Sequence, residues 1–349
     1  MKIIRPIAIG DAQLASSNVS EAAPAAYNGG TTYALGDKVS VLTGFTYTIY
    51  RSLQAGNVGH TPASSPTWWE ETSVTYGEWN AGTTYAAGDR VIIAATHKVY
   101  ESLQGANTNK APATQPTWWL DLGATNRWKM FDESPNSQTV NKSGIEKQLS
   151  ISERIDTVAL LNIAALTARV KMTVAGDGVV FDETYSLVSD SGITDWWSYF
   201  FEPIVRLTDK LVSGLPPYAA STVDVILAAS AEDVKCGVCV AGLSREIGET
   251  QYGATVGIQD YSVKQRDDFG NYTVLERAFA NRATFTVWFD SRLTTEVKNL
   301  LAGYRATPIV YVGEEEETST VVYGFYKDFN VEISNPGFSI CSLEVEGLA

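Results

Sequence analysis

The sequence predicts a mainly β protein: two small three-stranded antiparallel modules, followed by a β-sandwich and a smaller α+β C-terminal unit. Three observations lead there. The 349 residues are rich in Gly (28), Tyr (17) and Trp (9) and poor in Met (3), a balance that suits strands and turns better than helices. A stretch near the front of the chain is written twice. Beyond it, apolar and polar residues alternate with the period of two that a strand with one buried face requires.

The opening "MKIIRPIAIGDAQLASS" holds two basic residues and an apolar run cut short by Pro6. That makes a poor signal peptide, and residues 1–26 read as an extended N-terminal arm or strand.

The repeat comes next, as modules at 27–74 and 75–123. Copy one begins "YNGGTTYALGDKVSV" at Tyr27 and copy two "WNAGTTYAAGDRVII" at Trp79. Tyr33 matches Tyr85, and Gly36-Asp37 matches Gly88-Asp89, 52 positions apart. Tyr50, Ser52-Leu53-Gln54 and Asn57 match Tyr100, Ser102-Leu103-Gln104 and Asn107, 50 positions apart. A two-residue deletion in the hairpin between Val41 and Tyr50 accounts for the change.

A unit of roughly 45 residues is near the lower limit for an independent core. Neither copy contains a cysteine, so large aromatics must fill the centre. The Gly-Asp pairs mark turns. Each precedes a short strand, a hairpin, a second strand ending at Tyr50 or Tyr100, a Pro-containing loop, and "PTWW". Adjacent side chains of a strand point to opposite faces. In Trp68-Trp69 and Trp118-Trp119, one indole can therefore enter the core while its neighbour stays outside. An outer Trp calls for a cover, and a sugar ring or a neighbouring domain can provide it.

The pattern of these copies resembles the small chitin- and cellulose-binding modules appended to bacterial chitinases. Tyr27, Tyr33, Asp37, Val39, Tyr50 and Trp69 match the motif in copy one; Trp79, Tyr85, Asp89, Val91, Tyr100 and Trp119 match it in copy two. The resemblance implies polysaccharide binding, with Trp68, Trp118, Tyr33, Tyr85, Tyr50 and Tyr100 as the candidate carbohydrate-binding residues. One departure stands out. The family carries a tryptophan pair just before the loop Gln, where this chain has Ser52-Leu53 and Ser102-Leu103. Trp68 and Trp118 are extra aromatics that can replace that face, while Trp69 and Trp119, matching the family's closing Trp, are expected in the core.

Residues 124–247 read as a β-sandwich. "LTARVKMTV" sets Ala168, Val170, Met172 and Val174 on one face and Thr167, Arg169, Lys171 and Thr173 on the other; "TVDVIL" aligns Val223, Val225 and Leu227. Residues 248–349 read as the α+β unit. Its helix is expected in "RLTTEVKNLLAGYRA", with Leu293, Val297, Leu300 and Leu301 on one stripe and Gly303 as the stop.

The segments "ATNRWKMFDES", "DWWSYFFEPI", "TQYGATVGIQDYS", "LLAGYRATPIVYVG" and "VYGFYKDFNVEI" resemble a family of tail proteins from long-tailed bacteriophages. The resemblance spans about residues 124–349. It implies a virion role at the tail tip or baseplate after synthesis in the host cytoplasm. The partners it implies are other tail proteins and further copies of the chain, as a trimer or hexamer.

The remaining chemistry is sparse. A net charge of −14 with no Lys/Arg cluster argues against nucleic acid, and no apolar run approaches the roughly 20 residues of a membrane span. Three cysteines cannot form a dense disulfide framework. His60 and His97 read as exposed loop residues, so no Ser-His-Asp triad and no metal cluster is expected. Cys236 and Cys239 read as buried structural thiols of a strand, facing opposite sides. "GEEEET" at 313–318 reads as a solvated hairpin tip, or as a contact to a basic patch on a neighbour. Asp195 is the one carboxylate beside an aromatic platform, but "DWWSYFFEP" reads as a core strand or a subunit contact. The expectation is a non-enzymatic protein without a cofactor that docks to the tail and offers its modules to host-surface glycan. Two alternatives stand beside it: modules that contact only other tail subunits, and a glycan-degrading tail enzyme.

Overall fold

The computed structural model describes residues 1–189, 194–266, 269–315, 317–333 and 336–348. It is mainly β, with several antiparallel sheets and a small helical part toward the C-terminal end. The spine is the strand Ser221–Glu246, 26 residues long. Along its length it pairs antiparallel with Thr139–Ile151, Thr157–Ala164 and Thr167–Val174. The alternation predicted for the last of these holds: Ala168, Val170 and Met172 are fully buried, as are Val223, Val225 and Leu227 opposite them.

The first residues form a central strand. Lys2–Pro6 lies between the spine and Ile309–Val312, pairing antiparallel with both. Ile3 and Ile4 are both buried, and the pleat sends them to opposite faces. Ile3 joins the C-terminal core with Phe285, Val297 and Leu301, while Ile4 joins a cluster shared with Ala159, Val238, Val310 and Tyr323. Burying each side chain contributes about 1.5–3 kcal/mol. The segments 124–247 and 248–349 therefore continue one 14-stranded sheet through this strand. Glu315, in the loop after Ile309–Val312, ion-pairs with Lys2 and accepts from Ser213 Oγ at 2.9 Å. That part of "GEEEET" is held against the sheet rather than solvated; Glu316 lies outside the described residues.

The helix spans Thr294–Gly303. Val297 and Leu301, one turn apart, enter the core, and Leu300 packs at its margin. Leu293 sits in the preceding 3-10 turn and is exposed.

Cys236 and Cys239 are both buried in the same cluster, with Met172 and Val234. This corrects the expectation that they face opposite sides. The spine's inward side chains shift parity at Gly237, where Val238 already belongs to the other face. A Cβ at Gly237 would lie 2.2 Å from the Pro135 carbonyl oxygen, so only glycine admits that approach. Burial pushes the Cys239 thiol up to about 12.

Each copy of the repeat supplies three antiparallel strands: Lys38–Thr43, Thr46–Ser52 and Trp69–Glu78 in the first, Arg90–Ile93, Lys98–Ser102 and Trp119–Ala124 in the second. Parallel pairing of Gly77 with Val91 and Glu78 with Ile92 fuses them into one six-stranded sheet. Phe45, at the first hairpin tip, packs on Tyr85 of the second copy with ring centroids 5.1 Å apart.

Candidate functional site

The residues shared by the two copies make the same internal bonds twice. Tyr33 OH accepts from Asn28 N, and Tyr85 OH from Asn80 N, both at 2.8 Å. Asp37 caps the Ala34 amide as Asp89 caps that of Ala86. Asn57 Nδ2 donates to Ser52 Oγ, and Asn107 Nδ2 to Ser102 Oγ, both at 2.9 Å. Gln54 and Gln104 donate to the carbonyls of Thr67 and Thr117, holding the loop that leads to each tryptophan pair. The repeated motif is thus a folding device: most of its buried polar groups find partners inside each small core, although Asn57 Oδ1 and Asn107 Oδ1 have none among the described residues.

This sorts the candidate residues. Tyr33, Tyr85 and Tyr100 are 9%, 2% and 6% exposed and pack on Trp69 or Trp119. Tyr50 is half-buried against the first core, and burial raises its hydroxyl pKa, with help from the nearby Glu71 charge. Trp69 and Trp119 are buried, while Trp68 and Trp118 lie at the core margin, half-buried. Of the six candidates, the two outer tryptophans and Tyr50 retain accessible surface.

Both outer indoles are covered in part by the same loop position. The His60 ring stacks on Trp68 at 4.0 Å and 11°, so His60 is not a free loop residue. Lys110 Nζ lies over the Trp118 ring at 5.3 Å. His60 and Lys110 are 50 positions apart, the offset of the repeat, and that correspondence was available in the sequence. Two flat or cationic groups over an indole face form a stacking or cation–π contact.

His97 is also not a free loop residue. It turns through a left-handed conformation (φ 54°), stacks on Trp128 at 4.1 Å, and its Nδ1 lies 3.0 Å from Glu21 Oε1. Glu21 also accepts from Thr125 Oγ1 at 2.8 Å and Trp128 Nε1 at 3.1 Å. One carboxylate thereby ties the N-terminal segment, the second copy of the repeat and the chain beyond it.

The stretch "DWWSYFFEP" contains an α-helix, Trp196–Phe201, rather than a core strand. A capping box starts it: Asp195 accepts from Ser198 N at 2.8 Å, and Ser198 Oγ accepts from Asp195 N at 3.1 Å. The bonds from Ser198 hold the Asp195 carboxyl below its ordinary range. The five aromatics of the helix are 60–79% exposed, more apolar surface than a solvated helix carries. Every residue of the edge strand Thr255–Asp260 is also exposed, including Val256 and Ile258.

Among the described residues, no group of three His, Cys, Asp or Glu could hold a metal ion. No helix there is long and apolar enough to cross a membrane. Comparisons with protein-family models, curated proteins and solved structures find no significant match to the chain.

Proposed function

We propose that the chain is a non-enzymatic tail-tip or baseplate component of a long-tailed bacteriophage. In this reading it docks to other tail proteins as a trimer or hexamer and offers two carbohydrate-binding-type modules, 27–74 and 75–123, to host-surface glycan. Residues 124–247 act as a β-sandwich and 248–349 as the assembly unit. The observation that carries the reading is the pair of half-buried outer tryptophans, Trp68 and Trp118, repeated at one position of two fused modules. A sugar's C–H face can lie on such an indole, and several copies in one particle multiply weak contacts through avidity.

A second reading, a purely structural tail protein whose modules touch only other subunits, is favoured by the exposed aromatic helix Trp196–Phe201. Retention of the full chain on chitin, cellulose and whole host cells separates the two. Binding that disappears in Trp68→Ala/Trp118→Ala supports glycan contact. No retention on any surface, with the protein still built into particles, selects the structural reading.

A further inference from the structure

We propose that the cleft between the six-stranded module sheet and the body binds a sugar residue bearing a carboxylate, with Lys129 and Lys142 as its anion-binding groups. The cleft holds about 480 Å³, within the roughly 300–1,000 Å³ of small-molecule sites. One wall comes from the strands Trp69–Glu78 and Arg90–Ile93, the other from the turn Lys129–Phe131 and the strand Thr139–Ile151. Neither wall alone encloses it, so the site arises from the docking of the repeats on the body.

The charges in the cleft are not equivalent. Arg90 is committed: its Nε donates to Glu101 Oε2 at 2.8 Å and its Nη1 to Tyr76 OH at 3.1 Å. Lys129 and Lys142 are half-buried, and among the described residues neither ammonium is in an ion pair or hydrogen bond. The acids of the lining, Glu71 and Asp233, are exposed; Asp233 is the cross-strand neighbour of Lys142. The lining sets Arg90, Lys129 and Lys142 against Glu71 and Asp233 in a chain of net charge −14, and its two lysines without ion pairs in a concave site are what draws an anion. A carboxylate there gains charge-assisted hydrogen bonds.

The walls favour a saccharide over a bare ion. Val74 and Leu122 line the cleft and are exposed, offering an apolar surface to the C–H face of a sugar ring. Ser73 belongs to the same lining, while the buried Thr72 hydroxyl is committed to the Ile49 carbonyl at 3.2 Å. The body wall is fixed, since Asn126 donates to and accepts from the Val140 backbone at 2.8 Å each way. Neither Trp68 nor Trp118 lines this cleft, so the proposal goes beyond the tryptophan reading, and the two fail on different variants.

The test titrates the full chain at low salt with digalacturonate and with α-1,4-digalactose, its uncharged counterpart. The expected result is saturable binding of digalacturonate, with the neutral disaccharide weaker by about tenfold or more. Lys129→Gln/Lys142→Gln should lose about tenfold in affinity or more, whereas Lys129→Arg/Lys142→Arg keeps the charge and retains binding. Trp68→Ala/Trp118→Ala leaves it unchanged. No saturable binding of digalacturonate, equal affinity for the two sugars, or undiminished binding by the Gln pair would each overturn the proposal.

Discussion

Trp69 donates its indole Nε1 hydrogen to the carbonyl oxygen of His60 at 2.7 Å. The His60 ring meanwhile stacks on Trp68. Trp119 and Lys110 repeat the arrangement at 2.8 Å, with Lys110 over Trp118. One loop residue thus anchors the inner tryptophan with its backbone and covers the outer one with its side chain. Trp69→Ala should therefore cost about 3–5 kcal/mol of stability, by lost burial and an orphaned carbonyl. Trp68→Ala should cost well under half of that. Denaturant midpoints of the two variants check the asymmetry; equal losses would mean that both indoles are core residues.

Glu21 gathers Thr125, Trp128 and His97 around one carboxylate. Glu21→Gln removes the charge and puts an amide among donors. A loss of about 1–3 kcal/mol is expected. Hydrogen exchange should rise at His97 and Thr125, while the strand Thr167–Val174 keeps its protection. Uniform acceleration over the whole chain would contradict a local role for this carboxylate.

Lys147 is 2% exposed. Its ammonium donates to Ser17 Oγ at 2.9 Å and to the Arg127 carbonyl at 2.6 Å. Burial, with the nearby Arg127 charge, lowers its pKa from 10.5 to about 7. The unfolded chain then binds more protons than the folded one between those two values, so stability rises with pH across that window. The gain from this group approaches about 1.4 kcal/mol per pH unit. Lys147→Met removes the titration. Comparing urea midpoints at pH 6.5, 8 and 9.5, the wild type should gain on the variant as pH rises. Parallel profiles would show that the lysine does not titrate in the fold.

The helix Trp196–Phe201 exposes its aromatics while its cap is formed by Asp195 and Ser198. Trp196→Ser/Phe200→Ser should leave stability within about 0.5 kcal/mol, as exposed positions do, and reduce self-association. Light scattering across a concentration series reads the second effect. An unchanged mass profile would remove this helix from any subunit contact.

What the sequence made legible were features enforced over short distances. The closing tryptophans had to be core because a module of that size has little else to fill it, and Trp69 and Trp119 are buried accordingly, whereas Tyr33 and Tyr85, candidates for sugar binding, are buried beside them. The period-two strands and the i, i+4 pair Val297 and Leu301 held for the same reason. The misread elements depend on partners far away or on a signal that propensity masks. His97 looked free because Glu21 lies 76 residues before it. "WWSYFF" looked like a strand because its residues favour strands, although Asp195 and Ser198 three positions on form a helix start. Of the candidate site, Trp68 and Trp118 were set apart from their inner neighbours by an expected strand alternation, although both lie in the turn just before the strands that begin at Trp69 and Trp119. The cleft was invisible, since its walls belong to segments that only the fold brings together.

The strand Lys2–Pro6 has a consequence for how the molecule assembles. Its neighbours, Gly242–Glu246 and Val310–Val312, are synthesised hundreds of residues later. The strand must wait, unpaired and apolar, until both of these distant partners have emerged. Such long-range closure slows folding and exposes a sticky edge meanwhile. Once made, it couples the two larger cores into a single cooperative melting event, because neither can open without stripping the strand that completes the other.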